Sequence, residues 1–141
     1  MILRFTIPIA PKAQKRDRIG SRAGHGFSYK DKGQRLEEDK LSALMYQHRP
    51  PQPLTGALEL WVKVFQKIPD SWSKKKKALA LAGEVRPTGR PDASNYLKNL
   101  EDVMNGVFFE DDSQLVTIHC EKWYGYGESG KWQVELRSWP E

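Results

Sequence analysis

The chain has 141 residues, of which 38% are hydrophobic and 29% charged, with a formal net charge of +5 and a pI near 9.3. Such a length suits one domain, residues 1–141, around one core, and the composition excludes a wholly disordered or fibrous chain. No apolar run approaches the roughly 20 residues needed to cross a bilayer, so no membrane partner is expected. The apolar N-terminus lacks the charged start and cleavage site of a secretory signal. A lone cysteine, Cys120, allows no intrachain disulfide, which excludes a disulfide-stapled scaffold and makes the cytoplasm the expected compartment. The basic excess is concentrated: residues 12–35 carry eight Lys or Arg against Asp17 and Asp31, a distribution that suits a polyanionic partner.

Residues 2–9 are β-prone, with Ile2, Phe5, Ile7 and Ile9 available for a core and Pro8 and Pro11 to end the strand. Residues 12–28 combine glycine and charge with little apolar content, which predicts a mobile basic loop able to order on DNA. A helix follows from Asp31, with Leu36, Leu41, Leu44 and Met45 as its stripe, until Arg49-Pro50-Pro51 forbids continuation. Residues 56–68 hold the clearest strand, because Leu58, Leu60, Val62 and Val64 alternate with Glu59, Trp61, Lys63 and Phe65. A short helix carrying Lys74, Lys75, Lys76 and Lys77 in its first turn then runs to Ala82 and closes at Gly83.

The next helix is better delimited, by Pro91 and Asp92 at its start and Asn105-Gly106 at its end. At about 100° per residue, Ala93, Tyr96, Leu97, Leu100, Val103 and Met104 share an apolar arc, and Ser94, Asn95, Lys98, Glu101, Asp102 and Asn105 share the opposite one. Residues 107–109 and 115–122 are predicted strands flanking the acidic turn Glu110-Asp111-Asp112-Ser113. After Gly125, Gly127 and Gly130 comes a last strand at 131–139, so the C-terminal part reads as paired strands. The expected fold class is α/β (α+β): a mixed β-sheet packed with two main helices in a single domain.

Magnesium takes oxygen ligands and keeps several waters, so two or three carboxylates from different elements suffice to hold it. Asp92 at a helix start and Asp112 in a turn have that chemistry. A cation between them would polarise a phosphodiester and lower the pKa of an attacking water. Lys98, six residues after Asp92 and on the arc of Ser94, is placed to stabilise charge on the same phosphate. Each residue also has a structural explanation: Asp92 is a good helix N-cap, Asp111-Asp112-Ser113 is ordinary turn composition, and Lys98 is ordinary on a solvated face. Spacing by itself favours those structural explanations.

The ordered run shifts the balance. Arg90-Pro91-Asp92-Ala93-Ser94-Asn95-Tyr96-Leu97-Lys98, then Leu100 to Val107 ending in Asn105-Gly106, then Glu110-Asp111-Asp112-Ser113-Gln114-Leu115-Val116, resembles the signature of the RusA family. That signature is Pro-Asp-x-Asp-Asn, two residues and Lys, then a helix ending near Asn-Gly, then Asp-Asp-(Ser/Ala)-Gln-(Val/Ile). The basic segment after the first strand more weakly resembles the Pro-Lys-rich opening of the family's phage members. The resemblance implies a mixed α/β homodimer that binds four-way DNA junctions and cuts them hydrolytically with magnesium, manganese being a possible substitute. It implies that Asp92 and Asp112 bind metal, that Lys98 assists catalysis, and that Asp102 matches a family carboxylate on the helix, with Asn95 supporting. The departure is Ser94, which stands where the family has its second aspartate. A hydroxyl is a weaker magnesium ligand, so a water, Asp111 or Asp102 is needed to complete the shell. The alternative is a catalytically weakened protein of the same fold that only binds branched DNA.

Candidate phosphate contacts are Lys12, Lys15, Arg16, Arg18, Arg22, Arg90 and the Lys74 to Lys77 run. Phe27 and Tyr29, inside the basic segment, are the better candidates for base stacking, whereas Trp61, Trp72, Trp123, Trp132 and Trp139 read as core or dimer contacts. His25, His48, His119 and Cys120 lack zinc-ligand spacing, and His119 and Cys120 fall on opposite faces of one strand.

Overall fold

Alternation along residues 56–68 does what its period predicts: Leu58, Leu60, Val62 and Val64 are all buried, while Lys63 faces solvent. The computed structural model describes residues 1–12, 18–22, 25–29, 32–125 and 130–140, with residues 18–22, 25–29, 32–35, 37 and 38 described by backbone alone. Its strands are Ile2–Ile7 (β1), Arg18–Arg22 (β2), His25–Tyr29 (β3), Leu58–Lys67 (β4), Leu115–Gly125 (β5) and Lys131–Ser138 (β6). Its helices are Lys32–Tyr46 (α1), Lys74–Leu81 (α2) and Ala93–Met104 (α3).

The sheet is four-stranded and mixed, in the order β1-β6-β4-β5. β4 runs parallel to β5 and antiparallel to β6, which runs antiparallel to β1. One face of the sheet supplies Ile7, Leu58, Leu60, Val62, Trp132, Val134 and Leu136 to a core that also takes Leu41 and Met45 from α1 and Tyr96, Leu100 and Met104 from α3. Burial of each such side chain contributes on the order of 1.5–3 kcal/mol. Arg4, Trp61, Lys63, His119, Gln133, Glu135 and Arg137 line the other, open face. The expected fold class, a mixed sheet with two main helices, is the one observed.

Several local expectations differ from the structure. Ile2 is 40% exposed and Leu3 packs against the core in its place, because Leu3 shares the parity of Phe5 and Ile7. Leu36 is 56% exposed, since it lies well round the helix from the arc of Leu41, Leu44 and Met45. The predicted strand at 107–109 is a turn after Gly106 (φ 78). A strand would send Phe108 and Phe109 to opposite faces, whereas here both rings are fully buried. Residues 18–22 and 25–29, read as part of a basic loop, pair as an antiparallel hairpin; the neighbouring positions 13–17, 23–24 and 30–31 lie outside the described residues. Trp132 alone of the five tryptophans is in the core. Trp139 is 58% exposed.

The paired C-terminal strands are also corrected, because β4 separates β5 from β6. β5 ends at Gly125 and β6 begins at Lys131 on opposite sides of β4, and Phe65 of β4 is the partner of Lys131. Glycine allows a close approach there. A Cβ at Gly125 would lie 2.8 Å from the Phe65 Cβ, and one at Gly130, where φ is 81°, would run into the Phe65 carbonyl oxygen. Gly130→Ala is expected to cost more than about 2 kcal/mol, against about 1 kcal/mol for Gly56→Ala, where φ is similar and the space is open. Urea unfolding of both variants measures the difference, and equal losses would show that the approach to Phe65 does not depend on a bare Cα.

Candidate functional site

α3 carries most of the site because its two faces differ. Tyr96, Leu100 and Met104 are buried, and Ser94, Asn95, Lys98 and Asp102 are exposed on the other side. Asp92 occupies the N-cap position, and its carbonyl accepts from the Asn95 and Tyr96 amides at 3.1 and 3.2 Å. Its carboxylate makes no cap hydrogen bond. The position is thus structural but the acid is unspent, at the end of the helix where the backbone dipole favours negative charge.

The second acidic element is built differently. Asp111 caps the short 3-10 turn Asp112–Gln114 through a capping box: Ser113 N donates to its carboxylate at 3.1 Å, and its own amide donates to Gln114 Oε1 at 2.9 Å. Those Ser113 hydrogen bonds hold Asp111 below the usual carboxylate range. The Gln114 Nε2 group donates to the carbonyls of Leu54 and Gly56 at 2.9 and 3.0 Å, bolting the turn to the entry of β4. Asp111 is therefore occupied in holding the turn, and Asp112 is left exposed on a fixed base.

The acid that the structure couples to Asp112 is Glu101. Its carboxyl is pushed above its ordinary value, first by burial, then by the Asp112 and Asp102 carboxylates, while Lys98 pulls it back. Lys98, Glu101 and Asp112 thus form one electrostatic neighbourhood. Asp92 lies nine residues before Glu101, about 13 Å along the helix axis at 1.5 Å per residue. Among the described residues, no group of three or more Asp, Glu, His or Cys side chains gathers to hold a metal ion. A hard cation using one or two carboxylates, waters and a phosphate oxygen fits the donors present, whereas a cage made wholly of protein ligands does not.

Residues 8–137 match the profile of the family described as Endodeoxyribonuclease RusA. The chain belongs to that family. An uncharacterized protein of Bacillus subtilis (strain 168), YqaN, is 36% identical over 137 residues, covering 96% of this chain and 95% of that one. Within the RusA signature, Asp92, Lys98 and Asp112 all stand at accessible positions, and Ser94, at the family's aspartate position, is exposed in the first turn of α3. Glu101, whose signal was only its place on the polar arc, and Gln114, part of the signature but with no role read into it, are the contributors that the sequence reading missed.

The basic residues of this RusA-family chain divide. Lys74, Lys75, Lys76, Lys12 and Arg90 are exposed, and Lys76 lies over the Trp72 ring at 3.9 Å. Lys77 is half-buried. Lys15 and Arg16 lie outside the described residues, as do the side chains of Arg18, Arg22, Phe27 and Tyr29. Asn99, 2% exposed, donates to the Lys12 carbonyl at 2.9 Å and so ties the root of the basic segment to α3. Among the described residues its Oδ1 has no hydrogen-bond partner. A groove of about 540 Å³ lies on the open sheet face, with no residue of α3 in its lining. There Glu135 pairs with both Arg4 and Arg137, and His119 packs on Trp61 at 4.7 Å. Its charges are engaged with one another, which is why the acidic neighbourhood on α3 is the candidate site. No helix among the described residues is long and apolar enough to cross a membrane.

Because the Glu101 pKa is raised in the fold, the charged form costs stability, and the contribution present below the unfolded value is lost as pH rises through the folded one. Glu101→Gln is expected to melt higher than the parent at pH 7.5, on the order of 2 °C, with the two curves converging below about pH 4. Thermal denaturation across pH in a chelator reads this directly. A variant that melts lower at neutral pH would show that Glu101 is not repelled there.

Proposed function

We propose that this chain is a magnesium-dependent endonuclease that resolves four-way DNA junctions by phosphodiester hydrolysis, with manganese able to substitute. The observation that supports it most is the fold of the signature onto one helix and one turn: Glu101 of α3 feels the charges of both Lys98 and Asp112, and the turn carrying Asp112 is fixed by Gln114. Magnesium commonly uses one or two carboxylates and fills its shell with water and phosphate oxygens, which suits Asp112 with Glu101. Asp92, Ser94 and Asp102 are the further oxygen donors of the helix. A bound cation supplies polarisation of the phosphodiester and a water of lowered pKa.

The chain's own groups do the rest. The Lys98 ammonium offsets charge that builds on the phosphate as water adds to phosphorus and one P–O bond breaks. The Asp92 carboxylate, free of capping, accepts hydrogen bonds from substrate-side water. The exposed lysines of α2, Lys12 and Arg90 hold backbone phosphates through salt-sensitive attraction. A homodimer belongs to this reading: β5 is a sheet edge, and Val116 and Ile118, just after Asp112, are 58% and 43% exposed. Pairing across that edge sets two sites about a two-fold axis to meet a two-fold junction.

A labelled four-way junction with magnesium tests the proposal. Asp92→Asn and Asp112→Asn are expected to lower cleavage at least about 100-fold, and Lys98→Ala about 10- to 1000-fold, with junction binding in chelator retained. Absence of cleavage by the parent at high protein, with magnesium or manganese, defeats the nuclease reading. The second reading, a protein that binds junctions without cutting, is favoured by Ser94, a weaker magnesium ligand than a carboxylate, and by the lack of a three-donor cluster among the described residues. It expects Ser94→Asp to create cleavage, and an inactive Ser94→Asp protein would rule out lost metal affinity as the cause.

A further inference from the structure

The backbone around Asp92 is held by a group that no part of the signature supplies. Lys122, on β5, donates from Nζ to the Gly89 carbonyl at 2.8 Å and to the Pro91 carbonyl at 3.0 Å. Two residues earlier on the same strand face, the Cys120 thiol lies 3.7 Å from the Ala93 carbonyl. Burial pushes that thiol up to about 11, so it remains a neutral donor near pH 7. Alternate residues of one strand therefore contact the carbonyls of residues 89, 91 and 93, on both sides of Asp92.

The same stretch is fastened upstream. Arg86 Nε donates to the Lys122 carbonyl at 3.0 Å, and its guanidinium lies 3.6 Å from the centre of the Trp123 ring. Gly83, at φ 81°, packs so closely that a Cβ would stand 2.8 Å from the Trp123 ring. Asp92 itself makes no side-chain cap bond, so its position depends on these backbone contacts. A carboxylate that must remain free for a ligand cannot fix its own helix end; another group must do so.

We propose that Lys122 is a positioning residue for Asp92, an ammonium clamp from β5 that sets where the free carboxylate at the start of α3 points. It acts through Asp92, and the part of its role that bears on cleavage rests on the nuclease reading above. The clamp itself does not. Two charge-assisted hydrogen bonds to carbonyls fix the segment more strongly than neutral ones do, and loss of about 1 Å of placement at a reacting group is enough to cost orders of magnitude in rate.

The test uses the full chain with Lys122→Met, which keeps the apolar stem, and Lys122→Arg, which keeps the donors. Amide hydrogen exchange at residues 89–97 is expected to rise about tenfold in Lys122→Met, with the remainder of the chain unchanged, and to return towards the parent in Lys122→Arg. Junction cleavage is expected to lose kcat about tenfold in Lys122→Met while affinity in chelator stays within about twofold. Unchanged exchange at 89–97, or a rise spread over the whole chain, overturns the clamp. So does a variant whose affinity and salt slope fall while kcat holds, since that marks a phosphate contact. If the parent does not cut junctions, the nuclease reading fails and exchange alone judges the clamp.

Discussion

Strand β4 takes both of its neighbours from the last part of the chain, β5 on one side in parallel and β6 on the other in antiparallel. The rest of the architecture depends on that arrangement, and it depends in turn on a close approach: Gly125, which ends β5, and Gly130, just before β6, both lie against Phe65 where there is no room for a side chain. Once β4 is flanked in this way, its apolar row has a continuous surface beside it from Trp132, Val134 and Leu136, and α1 and α3 close over that surface. The parallel pairing of β4 with β5 also needs a long return connection. That connection is the stretch containing α2, α3 and the Asp112–Gln114 turn, which carries the signature residues.

Polar groups near α3 are divided between holding the backbone and remaining available. Asp111 and Gln114 are consumed in a capping box and in bonds to the entry of β4; Asp112 beside them is not. Lys122 is consumed in bonds to carbonyls; Asp92 beside it keeps a free carboxylate. Asn99 spends its amide on Lys12. In each case a supporting residue makes the hydrogen bonds that would otherwise occupy the exposed one. Glu101 is raised first by its burial and then by the neighbouring Asp112 and Asp102 carboxylates, which Lys98 offsets only in part. Such a neighbourhood has a standing electrostatic preference for a cation, while the exposed lysines elsewhere on the chain favour a polyanion.

The open face of the sheet is organised on the opposite principle. Arg4 and Arg137 both pair with Glu135, and Trp61 is covered by His119 and Arg137. The pairing of Arg4 and Arg137 with Glu135, and the absence of α3 residues from the groove's lining, argue for the acidic neighbourhood on α3 instead.

The sequence by itself determined the elements whose pattern is local. The alternation of Leu58 to Val64 needs only the period of a strand, the bounds of α3 need only Asp92 and Asn105-Gly106, and the order Asp92, Lys98, Asp112 needs only the resemblance to the RusA family. Tertiary structure decided whatever depends on partners far away in the chain. It put β4 between β5 and β6, made residues 107–109 a turn so that two adjacent phenylalanines share one core, and paired residues 18–22 with 25–29 where composition suggested a loop. It also brought Glu101 within electrostatic reach of Asp112. Periodicity reports which face a residue takes, because that follows from backbone geometry within a few residues. It cannot report which strand lies alongside or which acid stands across the gap, because those are set by closure of the whole core.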